Sequence, residues 1–227
     1  SDRGKSLSSE GSQLVEVNDH PVSVESPVGR LQRCYEKWDA VGANRYILDV
    51  IKKGYKLPMK YTPGSIELSN NKSARDNPEF VESEVKNLLA KSCIRQVGIK
   101  PYVVNPLTVA YNRKGKPRLV LDCRHINPSL FKFGFKYEDI SVARHVFKRN
   151  EYVFCFDLKS AYHHISIFEP DTEFLGFKYV IDGVLCYFVF LCLPFGISTA
   201  GFIFSKLVRE MVLKVLEIAR SQNCYVS

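Results

Sequence analysis

The spacing of hydrophobic positions changes along the chain and predicts helices in its first half. Apolar side chains recur at about helical spacing from Tyr35, and Gly54 follows them as a stop, which predicts a first helix over 35–53. Asn77-Pro78 offers an N-cap followed by proline at the first helical position, which predicts a second helix over 78–91. Residues 1–29 contain no aromatic residue and only scattered aliphatic ones, which predicts a disordered tail.

Beyond Pro101 the pattern becomes that of strands. Apolar runs over 103–111 and 117–123 flank a short basic connection that contains glycine, and two more, 174–181 and 184–190, flank Asp182-Gly183, a strong hairpin signal. A short helix over 140–147 and a strand over 152–157 lie between the two hairpins. Interspersed hairpins and helices predict an α+β fold rather than a doubly wound sheet.

The last part of the chain predicts a turn and a long helix. Leu193-Pro194-Phe195-Gly196 is a Pro-Gly turn, and Ser198 or Thr199 then offers a cap for a helix that runs through Leu216. Backbone N–H groups at such a turn can face an anion or a base pair, although turns of this kind before helices are common.

Length, charge and cysteine content limit the classes of protein. The chain has 227 residues, 45% of them hydrophobic, and a formal charge of +8, which excludes a wholly disordered protein. No stretch approaches the ~20 apolar residues of a membrane span, and the N-terminus lacks the order of a signal peptide, so we expect an intracellular protein, cytoplasmic or nuclear, without a membrane partner. Seven cysteines without a CxxC pattern indicate neither a disulfide framework nor a zinc site.

Asp157 is the first candidate for chemistry, because it ends an apolar strand. An unpaired buried carboxylate costs several kcal/mol, so the side chain must be hydrogen-bonded, capped or metal-bound. A helix N-cap is the simpler reading and a metal ligand the more specific one.

The second candidate is a basic hairpin that carries five cations and one acid between residues 113 and 124. Strand alternation from Arg118 places Arg118, Asp122 and Arg124 on one face. The hairpin is either a solvated edge or a site for a triphosphate or a nucleic-acid backbone, since Arg and Lys side chains suit phosphate oxygens.

In order along the chain, the runs KPRLVLDCRHIN (116–127), FDLKSAYHHI (156–165) and LPFGISTAGFIFSKL (193–207) resemble reverse transcriptases of retrotransposons. The upstream run GRLQRCYEKWDAVGANRYILDVIKKGYKLP (29–58) is most similar to the tyrosine-recombinase (DIRS-type) group. The resemblance implies a right-hand polymerase fold with fingers and a partial palm only. It divides the chain into a tail (1–29), an N-terminal helical extension (30–75), fingers (76–131 and 165–199) and palm (132–164 and 200–227).

The resemblance also implies roles for single residues. Asp157 matches the catalytic carboxylate that binds both metal ions, Mg²⁺ or Mn²⁺, and Leu158 matches the neighbouring backbone carbonyl ligand. The dNTP would be bound by Arg118 with Lys114 or Lys116, by Tyr162 as the steric gate that excludes a 2′-OH, and by Phe195 beside the sugar. Gly196 and Arg124 match positions that contact the RNA or DNA template-primer.

One departure from the family's pattern leaves the function open. The family takes two further Asp residues from a Tyr-x-Asp-Asp hairpin after the long helix, and no Asp follows Asp182. We therefore expect a chain that stops before this hairpin and is inactive by itself. It is either part of a polymerase whose remaining carboxylates lie elsewhere or a non-catalytic, nucleic-acid-binding remnant, and its oligomeric state is open.

Overall fold

The computed structural model of the chain describes residues 26–134 and 158–222. The α-helices are α1 (Arg30–Arg33), α2 (Tyr35–Ala40), α3 (Arg45–Lys53), α4 (Lys72–Arg75), α5 (Pro78–Ala90) and α6 (Ala200–Ser221). The strands are β1 (Ile66–Glu67), β2 (Ile94–Val97), β3 (Val103–Val104), β4 (Leu107–Tyr111), β5 (Pro117–Leu121), β6 (Gly176–Ile181) and β7 (Val184–Phe190). Short 3₁₀ helices cover Asn127–Ser129, Ala161–His164 and Glu169–Leu175.

The strands form two sheets. Five of them lie in the order β1-β3-β6-β7-β2, with β1, β3 and β6 parallel and β7 antiparallel to both of its neighbours. Strands β4 and β5 form a separate antiparallel hairpin. Buried side chains of both sheets and of α3, α5 and α6 join in one core, where the rings of Phe177 and Phe188 stack with centroids 5.1 Å apart.

The first predicted helix is two helices in the structure. Gly42 lies at a φ of 68° and interrupts the chain between α2 and α3. Asn44 then caps α3, because its side-chain oxygen accepts a hydrogen bond of 2.9 Å from the backbone N–H of Tyr46. The prediction of one continuous helix was therefore wrong, although the apolar face of α3 is buried as expected.

The predicted strand over 103–111 is also divided. Asn105-Pro106 separates β3, which joins the large sheet, from β4, which forms the hairpin. The buried amide of Asn105 donates to the carbonyl oxygens of Phe174 and Gly176, both at 3.0 Å, and so attaches this break to the start of β6. A proline without an N–H group cannot continue a ladder, which explains the change of sheet.

Other predicted elements are confirmed with different caps. Helix α5 starts at Pro78, but the side chain of Asn77 donates to the carbonyl of Ser73 instead of capping the helix. Thr199 precedes α6 without a side-chain capping bond. Asp182 and Gly183 form the β6–β7 turn with φ values of 50° and 78°. The helix predicted over 140–147 and the strand over 152–157 lie outside the described residues.

Candidate functional site

The basic hairpin and the Pro-Gly turn are joined by their backbones. The N–H of Leu121 on β5 donates to the carbonyl oxygen of Phe195 at 2.9 Å. Gly196 follows at a φ of 116°, and a Cβ atom there would lie 1.9 Å from the carbonyl oxygen of Leu121. Only glycine fits this close approach, so the turn lies directly against the strand.

The segment after residue 158 is joined to the same turn. The N–H of Ile167 donates to Leu191 at 2.9 Å, that of Leu193 donates to Ile165 at 3.0 Å, and Ser166 forms an antiparallel bridge with Cys192. Three sequence runs that are far apart in the chain thus meet at one place, through backbone hydrogen bonds between them.

Where they meet, the structure encloses a cavity of about 640 Å³, here called cavity A. Five of the predicted site residues line it: Lys116, Arg118, Leu158, Tyr162 and Phe195. This volume lies within the ~300–1,000 Å³ range of small-molecule sites.

Aromatic rings pack against one another at cavity A. The ring of Tyr162 lies 5.4 Å from that of Phe195, at 44°, and 5.4 Å from that of Phe204 on α6, at 68°. The guanidinium carbon of Arg118 lies 5.9 Å from the centroid of Phe195, within cation–π distance. The sequence-predicted gate, clamp and sugar-side residues are therefore mutual neighbours.

Ten of the described residues that line cavity A were not predicted as site residues, among them four with charged or aromatic side chains on two separate segments. Lys159 and His163 belong to the FDLKSAYHHI run itself, and Phe80 and Glu84 lie on α5. Phe80 and Glu84 lie four residues apart, in line with the buried Leu88 one turn further along α5, and this spacing is a signal that the sequence contains.

The charges that line cavity A favour an anion. Among the described residues, the lining includes three cations, Lys116, Arg118 and Lys159, and one carboxylate, that of Glu84. Among the residues that the structure describes, neither Lys116 nor Arg118 has an ion-pair partner. Bidentate guanidinium contacts suit phosphate oxygens.

A second cavity of about 510 Å³, here called cavity B, is lined by the end of β5, by residues 122–124 directly after it and by Gly196. Asp122 and Arg124 lie beyond the end of β5, so the predicted strand face that carries them together with Arg118 was wrong. Arg124 is held by Asp122, with Nε 2.8 Å from Oδ1. The amide of Asn71 donates to the other carboxylate oxygen at 2.8 Å. These hydrogen bonds, the one from Arg124 above all, lower the pKa of Asp122 to about 2, so this carboxylate is ionised at neutral pH.

The structure thus divides the basic hairpin between two cavities instead of gathering all its cations at one site. Lys114 lies exposed at the hairpin tip and lines neither cavity, and its backbone N–H donates to the side chain of Asn112 at 2.9 Å. Of the two tip lysines that the sequence left open, Lys116 is the one that lines cavity A. Asp157 lies outside the described residues.

A metal site is not formed by the described residues alone. Within 26–134 and 158–222, no three His, Cys, Asp or Glu side chains are grouped so that they could hold an ion. Of the ligands that the sequence resemblance implies, only Leu158 belongs to this part of the chain, and it lines cavity A.

Within residues 26–134 and 158–222, no helix has the length and apolar character needed to cross a membrane.

Comparison with known proteins places this geometry in context. The chain is 30% identical over 159 residues to the retrovirus-related Pol polyprotein from transposon gypsy of Drosophila melanogaster. The match covers 65% of this chain and 14% of the polyprotein. No protein-family model matches the chain.

Two solved structures share the fold. The native protease-reverse transcriptase of prototype foamy virus superimposes with a TM-score of 0.53 at 15% identity, over 85% of this chain and 28% of the viral one. The foamy viral protease-reverse transcriptase dRH in complex with double-stranded DNA gives a TM-score of 0.51 at 17% identity, over 84% and 37% of the two chains. The chain folds as a reverse transcriptase-like domain. Its α+β architecture is similar to part of a reverse transcriptase polymerase fold, as the sequence predicted.

Proposed function

We propose that this chain is the fingers and palm portion of a reverse transcriptase, which transfers deoxynucleotides to a primer 3′-OH under the direction of a template. The observation that carries the proposal is cavity A, where side chains from three separate sequence runs meet. The gypsy polyprotein and the foamy virus folds support it.

In this proposal cavity A binds the incoming dNTP. Arg118 and Lys116 neutralise the triphosphate, because both are cationic and neither is paired within the described chain. The ring of Tyr162, fixed between Phe195 and Phe204, lies beneath the sugar and excludes a 2′-OH. Phe195 contacts the sugar and holds the guanidinium of Arg118 over its face.

Two divalent ions, Mg²⁺ or Mn²⁺, belong to the proposed reaction. When bound, such ions activate the primer 3′-OH and stabilise the pyrophosphate leaving group. Within this chain the ligands would be the carboxylate of Asp157 and the backbone carbonyl of Leu158.

Cavity B is proposed to face the template-primer. Gly196 presents backbone there without a side chain, which allows the close approach of a base pair, and Arg124 offers one face of its guanidinium while Asp122 holds the other. One fold neighbour is in complex with double-stranded DNA, which supports a nucleic-acid partner.

A second candidate function is a non-catalytic, nucleic-acid-binding fragment of a retroelement. The observation that favours it is the placement of Lys116 and Arg118 at cavity A and of Arg124 at cavity B, which would bind phosphate without any catalytic carboxylate. The codons downstream of residue 227 separate the two candidates: an Asp-Asp pair within the next twenty codons supports the polymerase, and a stop codon supports the remnant. A tyrosine-recombinase gene in the same element would support the proposed DIRS-type grouping, which rests on residues 29–58.

The experiment begins with binding by residues 1–227. A labelled single-stranded oligonucleotide should bind with a Kd on the order of 10⁻⁴ to 10⁻⁶ M at physiological salt, and log K should fall linearly with log salt. A labelled dNTP with Mg²⁺ should bind as well, and Arg118→Ala should weaken dNTP binding by roughly 10- to 100-fold.

Arg95→Ala is the matched control for Arg118→Ala. Arg95 is an exposed arginine on edge strand β2 that pairs with Glu169 and lines neither cavity A nor cavity B. It should leave dNTP affinity unchanged. Equal loss in both variants, or oligonucleotide binding that does not respond to salt, would contradict the proposed site.

A further inference from the structure

The Pro-Gly turn forms the partition between the two cavities. Phe195 lines cavity A, and the next residue, Gly196, lines cavity B. A displacement of this turn therefore changes both cavities at once. What holds the turn in place consequently matters for both ligands of the proposed function.

Two sets of hydrogen bonds fix the turn. One is the backbone hydrogen bond from the N–H of Leu121, on β5, to the carbonyl oxygen of Phe195, at 2.9 Å. The other comes from one side chain, Asn127, whose Nδ2 donates to the carbonyl oxygen of Gly196 at 3.0 Å and whose Oδ1 accepts from the N–H of Ser198 at 2.9 Å. Both polar atoms of the amide are thus used on one segment of three residues.

Asn127 is itself firmly placed. It opens the 3₁₀ helix Asn127–Ser129, and its backbone N–H donates at 2.8 Å to the carbonyl oxygen of Cys123, two residues after β5 ends at Leu121. The neighbouring Ile126 is fully buried. The amide therefore connects a rigid base to the turn, and no other residue type offers a donor and an acceptor at this length.

We infer that Asn127 is a positioning residue that couples cavity A to cavity B by fixing the Phe195–Gly196 partition. This inference rests on the proposed function of the two cavities. It assigns to Asn127, the last residue of the KPRLVLDCRHIN run, a role without direct contact to the nucleotide.

The test is Asn127→Ala in residues 1–227. Both hydrogen bonds are lost, so labelled dNTP with Mg²⁺ and labelled oligonucleotide should each bind about tenfold more weakly. Gln96→Ala is the control: this amide lies on exposed edge strand β2, contacts the thiol of Cys186 and lines neither cavity, so it should leave both affinities unchanged.

A double-mutant cycle distinguishes positioning from general destabilisation. If Asn127 acts on the nucleotide through the ring of Phe195, Asn127→Ala should cause no further loss of dNTP affinity in a Phe195→Ala background. Additive losses would overturn the inference, as would unchanged binding of both ligands by Asn127→Ala.

Hydrogen exchange tests the partition without any ligand. Asn127→Ala should speed exchange at the amides of Leu121 and Ser198 and leave β6 and β7 protected. Unchanged exchange at both amides would overturn the inference. If the unsubstituted chain binds neither ligand, the proposed function fails and the coupling of ligands fails with it, and faster exchange would then show that Asn127 only fixes the turn.

Discussion

Cavities A and B lie on either side of the same turn and along the same strand, yet the cations that line them differ in their ion pairing. In cavity A, Lys116 and Arg118 have no ion-pair partner among the described residues, and Arg118 rests over an aromatic face. In cavity B, Arg124 is held by Asp122, and Asn71 fixes Asp122 in turn.

Under the proposed function, this difference predicts two kinds of ligand binding. Cations without protein partners can follow a mobile polyanion such as a triphosphate and neutralise it directly. A guanidinium already paired with a carboxylate has less net charge to offer, and it presents a fixed donor geometry instead. Affinity for phosphate should therefore be concentrated in cavity A, and cavity B should contribute to recognition mainly through the fixed geometry of its hydrogen-bond donors.

The largest expected effect concerns catalysis at cavity A. In a form of the protein that also carries a Tyr-x-Asp-Asp hairpin, Asp157→Asn should reduce Mg²⁺-dependent dNTP incorporation by about three orders of magnitude or more, because the proposed task of this carboxylate is metal placement. Oligonucleotide binding should remain nearly intact. Primer extension and a binding titration measure the two quantities.

Asp182→Asn in the exposed β6–β7 turn is the control for charge removal, since asparagine also tolerates the positive φ of this position. It should leave incorporation unchanged. Activity of Asp157→Asn within tenfold of the unsubstituted enzyme would remove Asp157 from the catalytic role. Residues 1–227 by themselves should show no extension.

The partition between the cavities should be the position most sensitive to added volume. Gly196→Ala combines a positive φ with a Cβ atom 1.9 Å from a carbonyl oxygen, and it should cost about 3 kcal/mol of unfolding free energy or more. Chemical denaturation measures this loss.

Two other glycines separate the cost of the positive φ from the cost of the close contact. Gly183 has a φ of 78° with no atom within 4 Å of a built Cβ, so Gly183→Ala should cost about 1 kcal/mol. Gly98 has open space and no positive φ, so Gly98→Ala should change stability by about 0.5 kcal/mol at most. Equal costs at all three positions would show that the turn does not press against β5.

The contrast between the arginines can be measured directly. Arg118→Ala should weaken dNTP binding by roughly 10- to 100-fold and oligonucleotide binding only slightly, because Arg118 lines cavity A and has no ion-pair partner within 26–134 and 158–222. Arg124→Ala should weaken oligonucleotide binding by a few fold and leave dNTP affinity unchanged. The comparison of the cavities breaks if the two variants have the same profile.

The smallest effect is a pH dependence at cavity B. The pKa of Asp122 is lowered from 3.8 to about 2, so its pairing stabilises the fold above about pH 4 and is lost as the pH falls from 4 to 2. Because the guanidinium of Arg124 is largely exposed, solvent screening should limit this contribution to about 1 kcal/mol. Unfolding measured across this range should show the loss in the unsubstituted chain and a smaller one in Asp122→Asn.

Local patterns determined much of the fold without tertiary information. Helix α5 begins at Pro78 and the hairpin turn falls at Asp182-Gly183, because proline and glycine act on the backbone through their own geometry. The runs 116–127, 156–165 and 193–207 also predicted the polymerase-like architecture through their resemblance to reverse transcriptases, because three motifs in order are more specific than any one of them.

Only the tertiary structure decided how the predicted residues group. Asn105-Pro106 moves one apparent strand into two sheets, and the pairing of Arg124 with Asp122 separates this arginine from Lys116 and Arg118. Phe80 and Glu84 of α5 line cavity A together with residues of β5, a grouping that no local pattern predicts. The physical reason is that side-chain charge and helical periodicity are local properties, whereas a cavity, an ion pair and the Asn127 contact with the turn depend on packing between distant segments.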